Sequence, residues 1–240
     1  MKTRLDKRLV ELGLVSTRSQ AESYIKLGEV KVAGQGVITK PGFQVSADNR
    51  IELTADEQYV SRAALKLASV ASALKLNFKD KTVLDVGSST GGFTDYAIKH
   101  GAAKVIAVEI GTNQLHPSLQ GNPKIELHEQ TDIRDIKELN QTPDIVVADV
   151  SFISLRDILP HIATLATAKT QLVMMVKPQF EAGQSRLKHK GVIKNDKMRR
   201  DILKDFESWT HQQFIIQDKA DSSVSGAKGN QERFYLLRRT

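Results

Sequence analysis

The chain has 240 residues and a net charge of +7, from 35 Lys and Arg against 28 Asp and Glu; 40% of it is hydrophobic and it contains no cysteine. That much apolar material supports a packed core and excludes a disordered chain, and the length allows one ordinary domain with a small one attached. The lack of cysteine excludes disulfides, thiolate zinc sites and thiolate nucleophiles. No run approaches the roughly 18 consecutive apolar residues of a membrane span, the densest being residues 172–176. The opening MKTRLDKRLVELG carries charges where a secretory signal needs an apolar stretch. A soluble, cytoplasmic protein with no membrane and no metal partner is expected, and its basic balance points to a polyanion.

Leu5, Leu9 and Leu12 fall at i, i+4 and i+7 and predict an amphipathic helix ended by Gly13. Thr17 with Gln20 reads as a capping box, and Ala21, Tyr24 and Ile25 give a second helix its apolar face up to Gly28. The period then drops to two through Val30, Val32, Val37, Val45, Ile51 and Leu53, broken by Gly34, Gly36, Pro41-Gly42 and Asp48-Asn49. Residues 1–53 should form a small α+β unit. It holds nine Lys and Arg against six acids, a denser positive charge than the 26 against 22 of the remainder. On its helices Arg4, Lys7, Arg8 and Arg18 lie off the apolar stripe and could offer phosphates one basic surface, and Lys26 and Arg62 extend the candidate set. The order of residues adds more: RLDKRL, STRSQA, IKLGEVKV and the KPG turn resemble the RNA-binding domain typified by ribosomal protein S4. The resemblance covers nearly all of residues 3–53 and implies that the two helices dock on structured RNA.

Residues 54–59 (TADEQY) read as a polar linker. From 60 to 240, apolar runs at 83–86, 105–108, 125–127, 145–148, 172–176, 214–216 and 234–237 predict seven strands. Helix-length stretches near 91–100, 154–166 and 196–209 separate most of them, which predicts an α/β fold with a largely parallel sheet wrapped by helices.

The segment TVLDVGSSTGGFTD sits where the first of these strands hands over to a helix. Gly87, Gly91 and Gly92 let backbone approach a ligand, and Ser88, Phe93 and Thr94 complete the turn. The spacing fits neither the dinucleotide nor the P-loop pattern. Asp85 at the strand end could face a cationic centre. Glu109, 24 residues on at the tip of the second strand, suits a ribose diol, and Asp132 after the third could accept from an adenine amino group. The set resembles the Rossmann-like methyltransferases, which implies S-adenosyl-L-methionine as cofactor and a last strand antiparallel to the rest.

Amino-group methyltransferases carry an N-P-P-Y-like motif after the fourth strand, where this chain has Asp149-Val150-Ser151-Phe152. Carbon methylation of cytosine needs a cysteine, which is absent. An oxygen acceptor remains. Lys66 lies on a helix before the sheet, Asp149 and Lys177 end the fourth and fifth strands, and Glu232 precedes an antiparallel last strand that starts at the same edge. The four match the K-D-K-E tetrad of FtsJ-like ribose 2′-O-methyltransferases. A ribose hydroxyl is a feeble nucleophile, and a lysine can take its proton only if burial or a neighbouring cation lowers the pKa of the lysine. Lys177 is the expected base or hydroxyl-polarising group, with Lys66, Asp149 and Glu232 positioning it and the ribose; Asp149 also borders the cofactor site.

The run QSRLKHKGVIKNDKMRR (184–200) holds seven Lys and Arg against one Asp. Its Arg186, Lys188 and Lys190 could clamp a phosphate backbone while a base stacks on Phe152 or Phe180. The joined pattern of an S4-like domain, YVSRAALKL, LDVGSSTGGFTD, VVADVSFISL, VKPQFEAG and GNQERF resembles the TlyA family, also called hemolysin A proteins. That implies a ribosomal-RNA 2′-O-methyltransferase acting on cytidine in ribosomal subunits. Ala63-Ala64 and Asp132 depart from the family pattern, where glycines and an asparagine are expected. A non-catalytic RNA-binding protein on a methyltransferase scaffold, a membrane-active hemolysin and an adenine-nucleotide enzyme stay open beside it.

Overall fold

The computed structural model describes all residues except 1, 16, 56–58, 183–190, 194 and 227–228, and the side chain of Ser19. The chain begins with a strand that alternation could not reveal in the sequence, β1 (Lys2–Arg4), followed at once by α1 (Leu5–Glu11) and then α2 (Arg18–Lys26). Arg4 therefore stands on the strand and not on the helix where the sequence put it. Leu5 and Leu9 are wholly buried, but Leu12 is 42% exposed, because α1 ends at Glu11 and Leu12 turns out of the stripe as its C-cap. Thr17 caps α2, accepting a 3.2 Å bond from the Gln20 amide, as its place in the sequence led one to expect.

Short strands complete the unit: β2 (Val30–Val32), β3 (Gly36–Val37), β4 (Gln44–Ser46) and β5 (Ile51–Leu53). Strand β4 pairs antiparallel with β1, and β2 lies between β3 and β5. Of the expected linker, Tyr59 is held by α2: the Gln20 side chain donates to its carbonyl at 2.8 Å, and its own N–H donates to the Tyr24 hydroxyl at 3.3 Å. Leu65 and Val224, from the rest of the chain, pack into the core of this small unit.

The larger unit opens with α3 (Arg62–Ala71), then β6 (Thr82–Val86), α4 (Gly92–Lys99), β7 (Lys104–Val108), β8 (Ile125–His128) and β9 (Ile145–Ala148). It continues with α5 (Leu159–Thr164), β10 (Gln171–Val176), α6 (Pro178–Glu181), α7 (Asp196–Thr210), β11 (Phe214–Asp221) and β12 (Arg233–Arg239). The expected helix near 154–166 is a 3₁₀ turn at Leu155–Asp157 followed by α5, with Pro160 in the first helical turn where its missing N–H costs no bond.

All seven expected strands form one sheet in the order β11-β12-β10-β9-β6-β7-β8. Strands β6 to β10 run parallel, and β12 runs antiparallel to both neighbours, β10 and β11. Its residues alternate between two cores. Leu84, Val146, Met174 and Tyr235 face one layer; Val83, Val147, Val173 and Phe234 face the other. A parallel sheet covered on both faces has room for charge only at its strand ends. From β6 the chain runs outward through β7 and β8, then returns to β9 on the other side of β6, so the carboxyl ends of β6 and β9 part at a topological switch point.

Candidate active site

Asp85 sits on β6 at the position that Val83 sets, on the α4 side of the sheet. It is 1% exposed; its Oδ2 accepts a 2.6 Å bond from the Thr94 hydroxyl of α4, while Oδ1 is buried with no hydrogen-bond partner. Burial pushes its carboxyl up to about 7, the Thr94 hydroxyl pulls the other way, and the charge of Asp149 adds to the rise. An unmatched buried acceptor at this depth marks a place for a donor or cation.

Two cavities open along the strand ends. The smaller, about 150 Å³, is lined by Asp85, Ser88, Gly92, Phe93 and Lys177 among others, and the larger, about 580 Å³, by Glu109, Ile110, Asp132, Arg134 and Phe152. Gly87, Ser89, Asp149 and Ser151 line both, so the two form one trough with a narrow and a wide end. Gly87, with φ +79°, packs against the Asp149 carbonyl of the next strand, 3.0 Å from where a Cβ would stand. Gly91 lines neither cavity; the room left by its missing side chain is taken by Leu115 and Leu119, so its smallness serves packing within the protein.

In the wide end, Glu109 accepts from the backbone N–H groups of Ser89 at 2.9 Å and Gly111 at 2.7 Å, which fix its carboxylate at the tip of β7. Asp132 is engaged differently from expectation. Both its oxygens take the Arg134 guanidinium, at 3.0 and 2.6 Å, and that pairing holds its carboxyl below the usual range. It borders the cavity as one half of an Asp–Arg pair.

Four charged groups meet where β9, β10, β12 and α3 converge. Lys177 Nζ lies 2.6 Å from Asp149 Oδ1, and Lys66 Nζ lies 2.6 Å from Glu232 Oε2. Lys66, Lys177 and Glu232 are 7%, 9% and 2% exposed. Both contacts are ion pairs by distance, but the carboxylate oxygens miss hydrogen-bond alignment. Burial raises the Glu232 carboxyl; Lys66 lowers it, Asp149 raises it and Lys177 lowers it, so Glu232 feels the other three charges of the cluster. Two ammoniums against two carboxylates leave the cluster neutral. Sequence reading missed Ser151, whose Oγ accepts a 2.7 Å bond from Lys177 Nζ. It stands in the loop two residues past Asp149, where no periodicity marks it.

Next to this cluster, Phe152 is 92% exposed in the left-handed region at φ 66°, and its ring lies 5.3 Å from that of Phe180. On the small unit, Arg4 and Arg18 converge on Asp6, which is fully buried: Arg4 Nη2 lies at 2.7 Å and Arg18 Nε at 2.9 Å. Arg8 turns instead to Glu11 at 3.3 Å, Lys7 and Lys26 are exposed, and Arg62 opens α3. Arg186, Lys188 and Lys190 lie outside the described residues. Among the described residues no helix is long and apolar enough to cross a membrane, and no cluster of three or more His, Asp or Glu could hold a metal ion.

The profile of a family described as FtsJ-like methyltransferase matches residues 59–239. The chain belongs to this family. A second profile, the S4 domain, matches residues 3–51. A relative named 16S/23S rRNA (cytidine-2'-O)-methyltransferase TlyA, from Mycobacterium tuberculosis, is 34% identical over 99% of this chain and 90% of its own. Hemolysin A of Brachyspira hyodysenteriae is 37% identical over 95% of this chain and 97% of its own. A solved structure of a candidate hemolysin from Streptococcus thermophilus superposes with a TM-score of 0.73 at 33% identity, over 100% of this chain and 89% of that one. The FtsJ-like domain with its antiparallel β12, and the S4 domain ahead of it, are thus the two parts that the sequence led one to expect.

Proposed function

We propose that this chain methylates the ribose 2′-hydroxyl of cytidine in ribosomal RNA, in the cytoplasm, with S-adenosyl-L-methionine as methyl donor. The observation that carries the reading is the two ion pairs, Lys66–Glu232 buried and Lys177–Asp149 partly so, beside a buried carboxylate, Asp85, with one oxygen unmatched. The relatives' names supply the RNA and the cytidine.

The residues present fit the donor. The orphaned Asp85 oxygen suits its cationic amino-acid end in the narrow cavity, and Glu109 suits a ribose diol in the wide one. When bound, S-adenosyl-L-methionine supplies an electrophilic methyl group on a sulfonium. Lys177 Nζ takes the proton of the ribose hydroxyl as the oxygen attacks. Asp149 stays paired with the resulting ammonium, while Lys66 and Glu232 keep the neighbouring charges balanced. With a neutral lysine the cluster carries one net negative charge, which favours a cation across the trough. Alignment of the hydroxyl can contribute much of the rate, since effective molarities reach about 10⁵ M or more. Phe152 and Phe180 offer rings on which an unstacked base can lie, and Arg4, Arg18, Lys7 and Lys26 offer charge to the phosphates.

Nucleoside mass spectrometry of unmodified bacterial ribosomal subunits treated with the protein and cofactor tests this reading. A methyl on the ribose of cytidine is expected. A methyl on a base would overturn it.

A further inference from the structure

Lys177 has two short contacts, and they differ in kind. Asp149 Oδ1 stands 2.6 Å from Nζ but off the hydrogen-bonding direction, whereas Ser151 Oγ at 2.7 Å accepts an aligned bond. Charge is thus supplied by one residue and direction by another. The distinction matters for a base. An ion pair constrains distance only weakly in angle, and a flexible four-carbon stem leaves the terminal nitrogen free to turn. A hydrogen bond prefers angles above about 150° and therefore fixes where the remaining positions on the nitrogen point.

Ser151 is also placed where this would count. It is exposed although Lys177 is buried, and it lines both the narrow and the wide cavity. It lies in the loop that leaves β9, two residues after Asp149, whose own N–H donates to the Val86 carbonyl of β6 at 3.1 Å. The hydroxyl therefore stands close to the point where this loop is tied to the sheet.

We infer that Ser151 is a positioning residue for Lys177: its Oγ holds one hydrogen of Nζ so that the lone pair of the neutral amine is aimed into the trough, where the ribose hydroxyl enters. This rests on the reading of Lys177 as the base. The proton balance is unchanged by it. The ribose hydroxyl loses its proton to Nζ, the oxygen gains the methyl group, the sulfonium leaves as a neutral thioether, and Ser151 keeps its own proton throughout. Substitution by alanine removes the acceptor and leaves the amine free to rotate; threonine keeps the acceptor with one added methyl group on an exposed position.

The test uses the full chain with unmodified bacterial ribosomal subunits and tritiated S-adenosyl-L-methionine, comparing wild type, Ser151→Ala, Ser151→Thr and Lys177→Ala. Each protein is also measured for cofactor Kd and Tm. For Ser151→Ala, kcat should fall about tenfold to a hundredfold, the scale of a misaligned reacting group. Its KM for subunits, cofactor Kd and Tm should stay near wild type, and Ser151→Thr should recover most of the rate. If Ser151→Ala turns over like wild type while Lys177→Ala is inactive, the inference falls and the reading of Lys177 stands. If Lys177→Ala turns over like wild type, that reading falls and the inference with it. A Ser151→Ala loss matched by a lower Tm or weaker cofactor binding, with no recovery in Ser151→Thr, would make the hydroxyl structural and also overturn the inference.

Discussion

Asp85 and Phe152 both stand in states that folding alone disfavours. Asp85 is a carboxyl with one unmatched oxygen whose burial sets its titration at about 7, against 3.8 in its ordinary setting. The sign follows from the protons bound: between those values the folded chain holds a proton that the unfolded chain has released, so the contribution of Asp85 to stability declines as pH rises through that window. Asp85→Asn should therefore raise the Tm measured at about pH 8, and its advantage should shrink as the pH is lowered towards 5. Cofactor affinity should move oppositely. It should strengthen from about pH 5.5 to about pH 7 in wild type, as Asp85 ionises, and be weaker and flatter in Asp85→Asn; calorimetry at both pH values checks this. Phe152 holds a bulky side chain at φ 66°, a conformation that costs on the order of 1–3 kcal/mol and collects at functional positions. Phe152→Gly should keep or raise Tm while raising KM for ribosomal subunits by about tenfold or more, the scale of one lost base stack. An unchanged KM would remove Phe152 from the RNA face.

At the scale of elements, the trough exists because β6 and β9 are neighbours whose following segments part, one into α4 and one into the loop carrying Ser151 and Phe152. Much of this was legible in the sequence. Strands covered on both faces read as apolar runs, and the acids and lysines that interrupt or end them, Asp85, Glu109, Asp149 and Lys177, stand out for that reason. Other features had no such signal. Strand β1 is three residues, two of them basic, with no alternation to read. The partners of the lysines depend on how α3 and β12 meet in space, which no local pattern encodes. Gly91 was read as room for a ligand, and the room is filled by Leu115 and Leu119. Ser151 lies in a turn, where serine is common for reasons unrelated to chemistry. The S4 helices gave up their charge to sequence reading but not its arrangement. Arg4 of β1 and Arg18 of α2 are held by one carboxylate, Asp6; burial alone would raise that carboxyl, yet the two guanidiniums hold it below its usual value. A pair of arginines fixed from behind presents its outer edges as a unit. Arg18→Ala should weaken subunit binding and lower the slope of log affinity against log salt by about one. An unchanged slope would place the RNA elsewhere.

For the molecule as a whole, the S4 and FtsJ-like parts are joined by more than chain. Leu65 and Val224 fill the small unit's core, and Gln20 and Tyr24 bind Tyr59. The small unit's basic face and the trough therefore belong to one connected body, which suits a substrate gripped at a distance from the nucleotide that reacts. The division of labour turns on Lys177. Its removal leaves the wide cavity, Glu109 and Asp85 in place, so cofactor binding and methyl transfer can be separated in one variant. The decisive measurement is the transfer of tritiated methyl to unmodified ribosomal subunits by wild type and Lys177→Ala at matched cofactor saturation. The variant is predicted to bind cofactor within a few-fold of wild type and to lose at least about a hundredfold in transfer, the scale of a missing general base. Transfer at the wild-type rate by Lys177→Ala would contradict the account.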